Sequence, residues 1–405
     1  MLSSLSPSIR QYLIVTGNYW AFTLTDGALR MLVVLHFHQL GYSPLDIALL
    51  FIFYEFFGVI TNLIGGWIGA RIGLNTTMNA GLILQVLALS MLLVPIEYLS
   101  VAWVMLAQAL SGIAKDLNKM SAKSSIKLLI PDSKQSTLYR WVALLTGSKN
   151  TLKGVGFFMG GALLSLLGFK GAVGAMAIGL TLVGAFSLFT LKKELGKSTV
   201  KPKFKELLSK SHAINYLSAA RLFLFGARDV WFVVALPVYL ATTLQWHHIS
   251  IGSFLALWII GYGIVQSIAP YFTGQQKNKT TGSNAAFSWA LLLLTTPCLI
   301  FLGLQTGLYT ETVLIVGLGL FGFLFAINSS LHSYLIVSHA SRDGVSMDVG
   351  FYYMANAMGR LIGTLLSGLV FQLYGLAACL IISAIFIVIA AILSLKIGQQ
   401  PAKSP

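Results

Sequence analysis

Eight basic side chains, Arg30, Lys115, Lys119, Lys149, Lys153, Arg221, Arg228 and Arg360, stand inside stretches that are otherwise apolar enough to cross a bilayer. A charge at the centre of a bilayer costs about 2.5–3.5 kcal/mol on insertion scales, so such residues face a protein interior or a water-filled path. Four acids share those stretches, Asp26, Glu55, Asp116 and Asp229. Bases therefore outnumber acids, and the chemistry this surplus suits is anion binding. Arginine offers a planar fork to two oxygens of a phosphate-like group, and lysine adds a compact charge. Spacing groups the bases further. Lys115 with Lys119, and Lys149 with Lys153, are four apart, and Arg221 and Arg228 are seven apart, so each pair shares a helix face. Asn150 neighbours Lys149, and Tyr353 and Asn356 fall on the side of Arg360.

The candidate substrate-binding residues are Arg30, Lys115, Lys119, Lys149, Lys153, Arg228, Arg360, Asn150, Tyr353 and Asn356. Asp26, Glu55, Asp116 and Asp229 are candidates for coupling or ion pairing. Asp26 precedes Arg30 by four, the spacing of a helical ion pair. Glu55 reads either as the partner of a base on the fifth or eleventh span or as a proton carrier. The competing reading of the bases is that they pair with buried acids and only fix helix packing. Asn328 and His332 share a helix face, and Tyr19, Trp20, Trp231, Trp258 and Tyr352 suit packing or an interfacial belt as well as ligand contact.

The elements that must carry these residues are membrane helices. Of 405 residues 56% are hydrophobic and only 10% charged, against about 25% charged in ordinary soluble domains. Apolar runs of about 20 residues cross about 30 Å of hydrocarbon, and about twelve such runs occur. They lie near 11–38, 44–67, 75–96, 100–122, 139–166, 169–191, 213–240, 249–272, 283–304, 309–337, 349–373 and 376–397. A cleavable leader is not expected, because Met1–Ser8 lacks a basic start and the run from Gln11 is too long for a signal core.

The net charge of +15 would suggest nucleic acid in a soluble protein, but its placement excludes that reading. About two-thirds of the lysines and arginines fall at the termini and in even-numbered loops, with Lys123, Lys127, Lys134 and Arg140 assigned there, whereas Lys170 is the odd-loop exception. That bias places both termini and the basic stretch 192–212 in the cytoplasm. Phe204, Leu207 and Leu208 within this stretch suit either a short surface helix or a solvated linker. Cys298 and Cys379 are too few and too far apart for a thiolate metal site or a disulfide framework. Thr146-Gly147-Ser148-Lys149 lacks the first glycine of a phosphate loop. No nucleophile or hydrolytic constellation stands out, so an enzyme, a metal and a cofactor are not expected.

The two halves repeat at an offset of about 204 residues: Tyr12-Leu13 answers Tyr216-Leu217, Asp26 answers Asp229 and Ile47 answers Ile251. This organisation, 1–191, a linker 192–212, and 213–405, resembles the major facilitator superfamily, an all-α polytopic fold of 12 transmembrane helices in two six-helix bundles. Leu40-Gly41-Tyr42-Ser43-Pro44 resembles its first external turn, and Gly65-Gly66-Trp67-Ile68-Gly69-Ala70-Arg71-Ile72-Gly73 its gating signature, with Ala70 in place of the usual Asp and Leu74-Asn75 in place of bases. Gly156-Phe157-Phe158-Met159-Gly160-Gly161 is similar to the antiporter signature but has Phe157 for its proline; close helix contact explains it equally. The resemblance implies a central cavity lined by spans one, two, four, five, seven, eight, ten and eleven. All eight buried bases fall on spans one, four, five, seven and eleven.

A narrower resemblance is carried by Gln11-Tyr12-Leu13, Gly17-Asn18-Tyr19-Trp20, Thr25-Asp26-Gly27-Ala28-Leu29-Arg30, Gly112 through Lys123, and Gly147-Ser148-Lys149-Asn150 with Lys153-Gly154. These strings are similar to the organoarsenical efflux permeases (the ArsJ family) of bacterial arsenic resistance. The resemblance implies a monomeric inner-membrane exporter of 1-arseno-3-phosphoglycerate, the compound glyceraldehyde-3-phosphate dehydrogenase forms when arsenate replaces phosphate. A phosphorylated-metabolite exchanger and a drug/proton antiporter are the alternatives within the same fold.

Overall fold

The computed structural model describes residues 7–41, 50–191, 195–198, 211–273 and 282–397. Among them the chain is helical with no strand. In order come α1 (Pro7–Gln39), α2 (Ile52–Ile72), α3 (Leu74–Met91), a 3-10 turn (Ile96–Tyr98), α4 (Val101–Leu129), α5 (Gln135–Thr190), α6 (His212–Phe232), α7 (Ala235–Thr242), α8 (His248–Phe272), α9 (Ser283–Gln305), α10 (Thr310–His339) and α11 (Val345–Lys396). Serine hydroxyls cap two starts, Ser100 accepting from the Trp103 amide and Ser211 from that of Ile214.

The all-α membrane architecture is as expected. Seven helices are long and apolar enough to cross a membrane: Leu74–Met91, Gln135–Thr190, His212–Thr242, Ser250–Phe272, Ser283–Gln305, Thr310–His339 and Val345–Lys396. Two of these, α5 and α11, each join two helices end to end. Each is broken once by a glycine in the left-handed region, Gly168 at φ 67° and Gly375 at φ 74°. A Cβ there would be strained, so glycine supplies the kink, and each arm exceeds the roughly 20 residues a crossing needs. The fifth and sixth expected spans thus share α5, the eleventh and twelfth share α11, and the seventh is divided between α6 and α7. Tyr42 to Pro44 of the expected external turn and Phe204, Leu207 and Leu208 of the linker lie outside the described residues.

The chain forms two compact units. One comprises Met1–Lys134, Ser148–Ser209 and Ala340–Met354; the other Gln135–Gly147, Lys210–His339 and Ala355–Pro405. The first unit is held by a core that includes Phe22, Leu32, Phe37, Leu82, Leu89, Val104 and Val173, all fully buried. Its α1 and α5 approach backbone to backbone: a Cβ on Gly156 would lie 2.7 Å from the Leu24 carbonyl oxygen, and one on Gly27 2.7 Å from that of Lys153. The glycine run resembling an antiporter signature is therefore a close-contact surface for α1. The second unit is held by aromatic packing, with the Trp231 ring edge-on to Phe321 at 4.9 Å and Phe321 stacked on Phe325 at 5.7 Å. Large apolar side chains point outward on both, Phe189 at 92% and Leu166 at 79% exposure among them, a surface suited to lipid tails rather than water.

In the first unit the turn after α4 is tied to the start of α11. Asp132 accepts from Arg342 Nε at 2.9 Å and pairs with Lys127 Nζ at 3.1 Å, and Arg342 also donates to the Ile130 carbonyl at 2.7 Å. The hydrogen bonds from Lys127 and then Arg342 hold the Asp132 carboxyl below its ordinary value. A depressed folded-state pKa stabilises above the unfolded value, about 3.9, and that contribution fades as pH falls through the folded value. We predict that Asp132→Asn lowers thermal stability at pH 7 by an amount worth under about 1 kcal/mol, since the carboxylate and Arg342 are exposed. The gap between variant and wild type should close below about pH 4, which melting curves across pH would read; a gap constant to pH 3 would contradict it.

Candidate anion site

In the first unit α2 and α4 touch where α4 has no side chain: a Cβ on Gly112 would sit 2.6 Å from the Tyr54 carbonyl oxygen. That contact sets the Tyr54 ring under Lys115, whose Nζ lies 3.7 Å from the ring centroid. The Tyr54 hydroxyl donates to both oxygens of Asp26, at 2.8 and 2.9 Å. Arg30 lies 4.9 Å from the Phe51 ring and 5.5 Å from that of Tyr54, and pairs with Glu55 at 3.5 Å.

The expected Asp26–Arg30 pair is therefore not formed, although the two stand one turn apart on α1. Tyr54 satisfies the carboxylate, while two aromatic faces and Glu55 draw the guanidinium toward α2. Glu55 is a partner of Arg30, a base on the first span. Tyr54, buried at 3% exposure, is the residue that sequence reasoning missed. Its only signal was its place beside the lone Glu55.

Deeper along α4, Asp116 is buried between two lysines. It binds Lys119, three residues on, and lies 3.8 Å from Lys115 Nζ. Asp116 is thus paired within its own helix. Tyr353, at the start of α11 and in the same unit, receives both Lys119 and Lys123 on its ring, at 4.8 and 4.7 Å from the centroid, and its hydroxyl accepts from Lys123. The loop assignment of Lys123 and Lys127 is corrected: both lie in α4 and are buried, at 2% and 5% exposure. Lys149, Asn150 and Lys153 are half-buried on α5, each holding polar contacts, beside Ser148, which accepts from Trp20 Nε1 at 2.8 Å.

The second unit repeats the arrangement with arginines. Asp229, fully buried in α6, gives Oδ1 to Arg228 Nε at 2.6 Å and Oδ2 to Arg360 Nε at 3.2 Å. Arg228 also lies over the rings of Phe225 and Phe325, at 4.9 and 5.4 Å. Arg221 also lies over the Phe225 ring, at 4.0 Å, and donates to Asn356 Oδ1 at 2.9 Å and the Ser329 carbonyl at 3.0 Å. Asn356 thus serves Arg221, and Tyr353 serves the lysines of the first unit.

Asn328 donates to the Trp289 and Leu324 carbonyls, a packing role, while His332 is buried near Arg221 with Nδ1 unpartnered. Tyr19, Trp231 and Tyr352 are buried rather than interfacial, and Trp258 donates to the Leu318 carbonyl. Removing Asp229 would strand two cations in low dielectric, whereas removing one arginine leaves a satisfied pair, so Asp229→Asn should cost about 3–5 kcal/mol and Arg360→Gln markedly less. Denaturation of the purified variants in detergent would rank them, and equal losses would contradict the shared-acid geometry.

The Major Facilitator Superfamily model matches residues 13–280. Among solved structures, the human organic anion transporter MFSD10 (TETRAN) superposes with a TM-score of 0.75 at 17% identity, covering 96% of this chain and 100% of that one. The E. coli fucose:proton symporter FucP gives 0.71 at 14% identity, with 96% and 100% covered. An outward-facing bacterial homologue of the iron transporter ferroportin gives 0.72 at 15% identity, again with 96% and 100% covered. At these identities the likeness concerns the fold. No curated protein sequence matches. A family match over more than half of the chain, on an all-helical frame of long apolar spans, makes this protein a member of the Major Facilitator Superfamily, a multi-pass membrane transporter and not an enzyme.

Proposed function

We propose that this transporter exports an organic oxyanion bearing phosphate-like groups, and specifically 1-arseno-3-phosphoglycerate, from the bacterial cytoplasm across the inner membrane by alternating access. The observation that carries this reading is the two-to-one ratio of base to acid at Asp116 and again at Asp229. Bases outnumber the carboxylate at each of these two positions, an attraction for an anion and a repulsion for cationic drugs. A cargo with anionic groups at both ends suits a chain with two separate cationic clusters. The scarcity of cysteine argues against trivalent arsenic, which prefers thiolates. The similar human structure is named an organic anion transporter, in keeping with this class of cargo.

In this reading Arg30, Lys115, Lys119, Lys149, Lys153, Arg228 and Arg360 meet the substrate with Asn150, Tyr353 and Asn356, while Asp26, Glu55, Asp116 and Asp229 hold the bases. The chain works as a monomer with halves at 1–191 and 213–405 and both termini cytoplasmic, and depends on glyceraldehyde-3-phosphate dehydrogenase to make its cargo. The cation surplus equally suits an exchanger of other phosphorylated metabolites, which arsenate tolerance separates from the leading reading. An arsenate-sensitive cell expressing the chain should gain tolerance only when the dehydrogenase is present; tolerance without the enzyme would refute the proposed cargo. Lys149→Gln and Arg360→Gln should abolish the tolerance while protein remains in the membrane.

Moving negative charge out of a negative-inside cell is favoured by about 2.3 kcal/mol per charge per 100 mV. Because Glu55 is held by Arg30, its loss unbalances a base rather than removing a proton carrier. Uptake into inside-out vesicles should therefore follow the imposed potential, and Glu55→Gln should slow turnover at either pH gradient. Uptake that follows the pH gradient and is indifferent to potential would establish proton antiport instead.

A further inference from the structure

Four lysines of α4 recur at a strict interval of four: Lys115, Lys119, Lys123 and Lys127. Each step rises about 6 Å and turns about 40°, so together they form a steep spiral about 18 Å long. It runs from the interior of the helix to its last turn at the Pro131–Lys134 bend. Lysines on a helix that merely anchor it at a membrane surface lie exposed. Here Lys119, Lys123 and Lys127 are buried at 8%, 2% and 5% exposure. The rungs share their partners: Asp116 serves Lys115 and Lys119, the Tyr353 ring serves Lys119 and Lys123, and Asp132 serves Lys127. Lys119, bound to Asp116, and Lys123, bound to the Tyr353 hydroxyl, thus both lie against one phenol ring, and an oxyanion beside that ring would meet two ammonium groups. A second observation marks the same place. The Tyr19 hydroxyl, on a residue 1% exposed, has no hydrogen-bond partner and lies within electrostatic reach of Tyr353 and Asp116. It is a buried donor supplied with no acceptor, and a ligand oxygen at the Lys119 level would complete it.

We propose that Lys119, Lys123 and Lys127 form a row of oxyanion subsites leading along α4 to Lys115, with the Tyr353 hydroxyl holding the Lys123 rung until an anionic group displaces it. This deepens the anion-transport reading and rests on it for the identity of the cargo, but not for the site itself. It makes Lys123 and Lys127 substrate-path residues. An anion passed between neighbouring rungs about 6 Å apart never leaves the field of the next cation, so no step strands it in the apolar interior.

The test uses the full-length protein in lipid nanodiscs and inorganic pyrophosphate as the probe. Acylation of individual lysines by a neutral reagent, followed by mass spectrometry, should show pyrophosphate slowing Lys119, Lys123 and Lys127 while leaving Lys170, at the exposed kink of α5, unchanged. Tyr353→Phe, which keeps the ring and removes the hydroxyl, should quicken the reaction of Lys123. Uniform slowing of all lysines, or none, would overturn the proposal.

Transport then separates path from scaffold. With a phosphate ester as cargo, Lys123→Gln should raise KM by about tenfold or more for uptake from the face bearing the Pro131–Lys134 bend, the worth of one charged hydrogen bond. KM from the opposite face should stay as in wild type, with Lys123→Arg restoring the first. Equal changes from both faces would mark Lys123 as structural and overturn the row. Protection by pyrophosphate in a protein that carries no phosphate ester would uphold the subsites and remove the cargo reading, whereas transport without protection would remove the subsites alone.

Discussion

A carboxylate shared by two bases is the interaction on which the rest of this molecule depends. A lone charge in hydrocarbon is expelled and a neutral pair is inert, but one acid between two bases is tolerated and still cationic. Asp116 between Lys115 and Lys119, and Asp229 between Arg228 and Arg360, meet this condition in the two units separately. Much of the surrounding architecture serves it. Glycines at 58 and 112 let α2 and α4 close on Asp116 and Tyr54, and the aromatic stack on Phe225 and Phe325 gives Arg228 a surface that does not compete for its donors.

The sequence made the charges legible because hydrophobicity around them is so uniform that each stands out. Helical spacing then grouped Lys115 with Lys119 and Arg221 with Arg228 correctly. Spacing failed where a neighbouring helix competes. Asp26 and Arg30 have ideal separation on α1, yet Tyr54 and Glu55 from α2 take them apart, because an aromatic hydroxyl and two ring faces outbid an exposed-helix pairing worth only about 0.5 kcal/mol. Asn356 and Tyr353 likewise follow contacts that no single-helix argument contains.

Counting charges by predicted loop misplaced Lys123 and Lys127 for a different reason. Topology rules treat a lysine near a helix end as a surface anchor, and a window of apolar residues ends a span wherever charge thickens. The four-residue interval from Lys115 to Lys127 was visible in the sequence and is the signal that the last turns of α4 continue the buried face. At the junctions of the fifth with the sixth and the eleventh with the twelfth expected spans, hydropathy separates runs that the backbone also separates, because Gly168 and Gly375 break the helix with no intervening loop.

The two clusters differ in how firmly their bases are held, and the difference follows from side-chain chemistry. Arg221 and Arg228 have planar forks fixed by amide, carbonyl and carboxylate oxygens and stacked on Phe225, so their donors point in set directions. Such a cluster is ordered before a ligand arrives and loses little entropy in binding one. Lys123 instead donates to the hydroxyl of a neutral phenol and lies against its ring, at the end of a stem with four rotatable bonds, while Lys119 shares that ring and is bound to Asp116. A phenol holds an ammonium less tightly than a carboxylate does, so an oxyanion can take its place at small cost. Fixed arginines suit recognition, and a loosely held lysine suits passage; a carrier of multiply charged anions needs both, and this chain keeps them in different compact units.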